Sequence, residues 1–180
     1  MTPRQFTLAD GRPLVIKEAE IADAAAVVTT LNRIGGQTDF LTFGENGFNI
    51  SVEAEESVIV IFKERPNALM LLAMVEDHLA GILTFEGGPR PRLEHTGEFG
   101  ISLLQAYWGL GIGTKLLEIM IEWARGSGVV KKINLRVHEQ NRQAISLYEK
   151  MGFRQEGVIT RDYLIDGQFY ANIFMGLSID

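Results

Sequence analysis

The sequence predicts an α/β (α+β) protein, a single domain over residues 1–180 with a central mixed, mostly antiparallel sheet flanked by about four α-helices. Three observations lead there. Two helix-like segments precede the first long apolar run. Two apolar runs then face each other across a short polar turn, an antiparallel hairpin signal. Later, strand-like and helix-like segments alternate, as parallel neighbours require.

Taken in order, residues 14–17 read as a short strand after the turn Asp10-Gly11. Residues 21–33 are alanine-rich and read as a helix ending at Gly35-Gly36. Residues 38–50 read as a long loop holding Phe40, Phe43 and Phe48. Ser51 caps a helix over 52–64, with Glu53, Glu55 and Glu56 near its positive end and Pro66 as its stop. Strands at 68–76 and 79–86 join at Asp77-His78, and a loop at 87–92 leads to a strand at 97–104. A helix over 114–125 places Leu116, Leu117, Ile119, Met120 and Trp123 at helical spacing. Residues 132–137 alternate as a strand, and a helix over 141–151 closes at Gly152. Strands at 153–165 and 168–177 meet at Asp166-Gly167, a strong hairpin turn.

Composition narrows the function. The net charge is -6 and no basic run occurs, so no nucleic-acid footprint is expected. With no cysteine, disulfides and thiolate metal sites are excluded, and three scattered histidines make no metal site. The N-terminal stretch MTPRQFTLADGRP has no apolar core of a signal peptide, and no apolar run reaches the ~18 residues of a membrane span. The expected setting is cytoplasmic. Asn49-Ile50-Ser51 then matches a glycosylation acceptor by chance.

The most informative stretch is QAYWGLGIGTKLLE, residues 105–118, where Gly109, Gly111 and Gly113 precede a helix. A P-loop needs Gly-Lys-Ser/Thr, but Gly113 is followed by Thr114-Lys115. A dinucleotide fingerprint needs a third glycine where Thr114 stands. A third reading is a turn whose N–H groups, with the helix N-terminus, hold a pyrophosphate. A tight turn with close helix packing is the purely structural alternative. Downstream, NRQAISLYEKMGF sets Asn141 and Tyr148 about two helical turns apart on one face. They either line an extended ligand or serve as an N-cap and a half-buried aromatic.

Together these motifs resemble the GNAT superfamily of acyl-CoA-dependent N-acetyltransferases. The family's Arg/Gln-x-x-Gly-x-Gly/Ala is matched at Trp108, Gly111 and Gly113, with tryptophan in place of Arg or Gln. Tyr-Trp-Gly resembles the branch of ribosomal-protein N-terminal acetyltransferases. Asn141, Ala144, Tyr148, Gly152 and Phe153 match the second motif, and residues 156–175 also resemble polyamine and amino-acid acetyltransferases. The resemblance implies acetyl-CoA as cofactor, held by Leu103, Leu104, Trp108, Gly109, Leu110, Gly111, Ile112, Gly113, Thr114, Asn141 and Ala144. The amides of residues 110–114 would hold the pyrophosphate, and backbone donors near Leu103 and Leu104 would polarise the thioester.

The reaction it implies is direct attack of an amine on the thioester, with Tyr148 as the acid on the thiolate side. Glu98 is the base candidate, because strand alternation puts it on one face with Gly100 and Ser102. An exposed strand carboxylate is the alternative. His95 and His138 stand behind it as bases, or lie on the loop surface. Phe40, Phe43 and Glu45, with Asp39 and Phe48, form the expected acceptor wall, the alternative being a mobile loop. The acceptor is a small amine or polyamine, an amino acid or a protein N-terminus. A silent acyl-CoA sensor is the competing function, and a homodimer is the one further partner expected.

Overall fold

In the computed structural model, which describes residues 1–180, every strand belongs to one eight-stranded sheet. The strands are β1 (Arg4–Thr7), β2 (Pro13–Glu18), β3 (Ala68–Val75), β4 (His78–Gly87), β5 (Thr96–Leu103), β6 (Lys132–His138), β7 (Arg154–Ile165) and β8 (Gln168–Ser178). Their order is β1-β2-β3-β4-β5-β6-β8-β7. Only β5 and β6 run parallel; the other neighbours are antiparallel. The helices are α1 (Ala24–Gly35), α2 (Val52–Glu64), α3 (Ile112–Gly126) and α4 (Arg142–Lys150). No helix is long and apolar enough to cross a membrane.

Alternation along β3 builds two cores. Leu69, Leu71 and Ala73 join the larger one with α3 residues Ile112, Leu116, Leu117 and Met120 and α4 residues Ile145 and Tyr148. Met70 and Leu72 join the smaller one with Ala24 and Val27 of α1 and Ile59 of α2. Helices α3 and α4 therefore cover one sheet face, and α1 and α2 the other.

Several boundaries differ from the sequence reading. β1 is an eighth strand, paired across the Asp10-Gly11 turn with β2. Its four residues alternate in burial, too short a pattern to stand out alone. The first helix begins as a 3-10 turn, Ile21–Asp23, fixed by a Glu20/Asp23 capping box. The β3–β4 turn falls at Glu76 and Asp77, not Asp77-His78; both have positive φ, 48° and 65°, as tight hairpin turns demand. α3 starts at Ile112, two residues early, because Gly111 at φ 82° serves as its left-handed N-cap.

Candidate active site

β5 and β6 pair only through Thr96↔Lys132, Gly97↔Ile133 and Glu98↔Asn134. Beyond that, residues 99–103 pair only with β4, and residues 135–138 only with β8. Two interior strands thus turn unpaired backbone edges toward a wedge between them. Leu104 N–H donates to Ala80 O at 2.9 Å, which fixes the alternation along β5. The N–H groups of Leu103 and Ile101 then face the wedge. Leu104 itself supplies no free donor, a correction to the expected pair. The Leu103 carbonyl is held by Trp108 Nε1–H at 2.9 Å, so the tryptophan braces the turn that follows.

That turn delivers the chain to α3. Gly109 and Gly111 have φ of 75° and 82°, a left-handed conformation that favours glycine. Gly111 caps α3 without any side-chain bond, and its carbonyl accepts from Lys115 N–H. The N–H groups of Ile112, Gly113 and Thr114 therefore open the helix without intrahelical partners, beside the turn at Leu110. Gly113 differs from the other two. A Cβ there would make only ordinary contacts with Leu147, Leu103 and Ile101, at 3.4 to 3.8 Å, so neither backbone conformation nor packing requires glycine at this position.

α4 closes the wedge from the α3 face. Asn141 is its N-cap, with Oδ1 accepting from Ala144 N–H at 3.2 Å, so only its Nδ2 remains for a ligand. Ala144 packs against the core beside it. Tyr148 is 7% exposed and meets Phe99 edge-on at 5.6 Å, at the point where β5 leaves β6. Burial alone raises its phenol above the usual pKa, so the hydroxyl stays protonated as a donor.

The opposite face carries the charged groups. β6 alternation presents Asn134, Arg136 and His138 beside Glu98, Gly100 and Ser102 of β5. Arg136 Nε donates to Glu98 Oε1 at 2.8 Å, which leaves Oε2 free and both side chains partly exposed. His138 is not loop surface; it ends β6, 3% exposed, with Nδ1 accepting from Gln140 N–H. Phe40, Tyr163 and Tyr170 surround its ring at 5.4, 5.2 and 4.9 Å. Of the expected acceptor wall, Phe40 reaches this place, and Asp39 lies close enough to act on the His138 ring by its charge. Phe43 stacks on Phe48 and lies against Gly35, and Glu45 packs on Gly36, so both cover the end of α1. His95 lies just before β5, where its carbonyl accepts from Lys131 and Lys132.

The sequence reading missed Arg136, Asp162, Tyr163, Tyr170 and Asn172. The alternation of residues 132–137 carried a signal for Arg136 alone. The others depend on an irregularity in β7, where Arg161 has φ 55° and the register shifts between Ile159 and Tyr163. That bulge aims Asp162 at Asn172, whose Nδ2 donates to it at 2.6 Å.

Both the sequence and the fold are shared with known proteins. Residues 40–153 match the acetyltransferase (GNAT) family. The chain belongs to the GNAT acetyltransferase family. The L-amino acid N-acetyltransferase AaaT of Escherichia coli (strain K12) is 31% identical over 112 residues, 62% of this chain and 69% of that one. A spermidine N(1)-acetyltransferase from the same strain is 31% identical over 78 residues, 43% of this chain and 42% of its own length. Among solved structures, a GNAT-family acetyltransferase from Streptococcus pneumoniae superposes with TM-score 0.90 at 35% identity, covering 93% of this chain and 99% of that one. This GNAT acetyltransferase is therefore an acyltransferase in one α/β unit, with four helices around a mixed sheet.

Proposed function

We propose that the wedge between β5 and β6 is where this enzyme moves an acetyl group from acetyl-CoA to a primary amine, by direct attack in a ternary complex. The parting of two interior strands carries this reading. Unpaired backbone groups inside a sheet need partners, and the amide-bearing arm of coenzyme A supplies them as a surrogate strand. Residues 110–114 then hold the pyrophosphate with their N–H groups, where the α3 dipole favours an anion. Trp108 and Gly109 shape that turn, while Asn141 Nδ2 and Ala144 border the arm from α4.

The proton route follows from the two faces. An alkylammonium has a pKa of about 10, so it must lose a proton before it attacks. Glu98 takes it, directly or through water, from the open face of β5. The Ile101 N–H stabilises the oxyanion that forms on the thioester oxygen, while the Leu103 N–H, about two residues nearer the pyrophosphate turn, pairs with the arm. As the C–S bond breaks, the electron pair goes to sulfur, and Tyr148 donates a hydrogen bond and then a proton from below, while the surplus proton on the attacking nitrogen leaves through water and restores the phenol. A phenol raised by burial keeps that proton until sulfur carries charge.

Absence of cysteine and use of acetyl-CoA fit a cytoplasmic setting. Val158, Leu164 and Phe169, exposed along the β7–β8 hairpin, are the surface through which a homodimer would form. The test of function is thiol release from acetyl-CoA with a panel of amines. Release that depends on an amine supports the transferase; acetyl-CoA binding with no release would leave the silent sensor.

A further inference from the structure

Two buried polar atoms on the acceptor face lack any partner, Nε2 of His138 and Oδ1 of Asn172. Their residues are 3% and 4% exposed, and such orphans are rare in folded chains. They stand directly opposite in the β6–β8 register, so their side chains share one face.

Their chemistry is fixed by the bonds their other atoms make. Gln140 N–H donates to His138 Nδ1 at 3.2 Å, so Nδ1 holds a lone pair. Burial favours the neutral ring, and its single proton then sits on Nε2. The orphan is therefore a donor, and His138 is no base through this nitrogen. Asn172 Nδ2 already donates to Asp162, so its Oδ1 is a free acceptor. One unmet donor and one unmet acceptor lie side by side.

Their position matters as much. Counting on from Glu98↔Asn134, His138 is level with Ser102, across the wedge from the proposed oxyanion donor, the Ile101 N–H. Tyr163 and Tyr170 are held in the sheet, whereas Phe40 comes from the α1–α2 loop. For an acceptor to reach the pair, Phe40, the one ring of the three carried by a loop, has to give way.

We propose that His138 and Asn172 together bind an α-aminoacyl group: Nε2–H donates to the oxygen on the carbon beside the amine-bearing one, and Oδ1 accepts from the amine N–H. The proposal rests on the transferase reading above. A protonated polyamine carries donors only, so it would meet Oδ1 and leave Nε2–H unpaired. An α-amino acid, its amide or a peptide N-terminus meets both.

The test compares alaninamide, alanine, ethylamine and spermidine as acceptors, read by thiol release at fixed acetyl-CoA. The better alanine derivative should exceed ethylamine and spermidine in kcat/KM by at least about tenfold. Preference for alanine assigns a free amino acid; preference for alaninamide assigns a peptide-like amide. His138→Phe should cut the selectivity over ethylamine by about tenfold or more, and His138→Gln, which keeps a donor at that reach, should restore part of it. Equal or better use of ethylamine or spermidine by the unmodified enzyme overturns the proposal whatever the variants do. Unchanged selectivity in a folded His138→Phe protein overturns it too, leaving a bridging water as the partner of both atoms. No release with any amine overturns the transferase reading itself, and this proposal with it.

Discussion

Replacing Gly111 with valine tests the acyl-CoA turn, because its effects on folding and on binding have separate origins. Gly111 sits at φ 82° and ψ 3° as the α3 N-cap. An L-residue in that conformation costs about 1–2 kcal/mol, and in a chain of this size each kcal/mol lowers Tm by about 2–4 °C. Gly111→Val should therefore melt about 2–8 °C low and still fold. No protein atom lies within 4 Å of the added Cβ, so no packing clash increases the loss. Binding should suffer more. Hydrogen bonds to charged groups are worth about 1.5–3 kcal/mol each. Losing one through a displaced turn raises the Kd for acetyl-CoA about 10- to 150-fold. Gly113→Ala is the control. Its Cβ makes an ordinary contact at 3.4 Å with Leu147, and alanine in a helix gains up to about 1 kcal/mol over glycine. It should keep its Tm or raise it, with Kd within about threefold of wild type. Calorimetry with acetyl-CoA, alongside melting curves, reads both. A folded Gly111→Val protein with wild-type affinity would refute the pyrophosphate assignment. So would a Gly113→Ala protein that loses as much as Gly111→Val.

Tyr148→Phe should lower kcat by about 10²-fold while acetyl-CoA affinity holds; normal turnover would mean that solvent protonates the sulfur. Glu98→Gln should lose most kcat/KM at neutral pH and less near pH ~10, where free amine is plentiful. A uniform loss across the pH profile would make Glu98 a binding charge instead. Glu55, buried on α2, has its carboxyl pKa raised by desolvation. The folded chain then holds that proton more tightly than the unfolded one, so stability is full below about pH 4.3 and declines as pH rises through the folded pKa. Glu55→Gln should raise Tm at pH 7 and change it little at pH 4; an equal shift at both would show that its charge is not the cause.

What the sequence made legible was whatever is local. The Ser51 cap, the Asn141 cap and the Asp166-Gly167 turn each satisfy their own backbone within a few residues. The glycine turn and Tyr148 were legible for the same reason, since each motif spans about two helical turns at most. Beyond that reach the signal fails. Tyr148 shares a predicted helix face with Asn141, yet its burial comes from Phe99 of β5 as well as from Phe153, just past the end of α4. Phe43 and Glu45 look like a ligand wall in sequence, but the close approach of Gly35 to Gly44 turns them onto α1. His138 reads as a loop residue until β8 supplies Asn172 opposite it and the β7 bulge supplies Asp162. The proposed donor half thus rests on two short stretches, residues 99–114 and 141–148, and a motif can record each. The proposed acceptor half is assembled from the α1–α2 loop, β6, β7 and β8, and the side chains of its strands meet only through register. One residue of slip in that register would move His138 or Asn172 to the other face. On the proposal above, acceptor choice in this chain is a property of pairing, and the sequence carries it only through the bulge and turns that set the register.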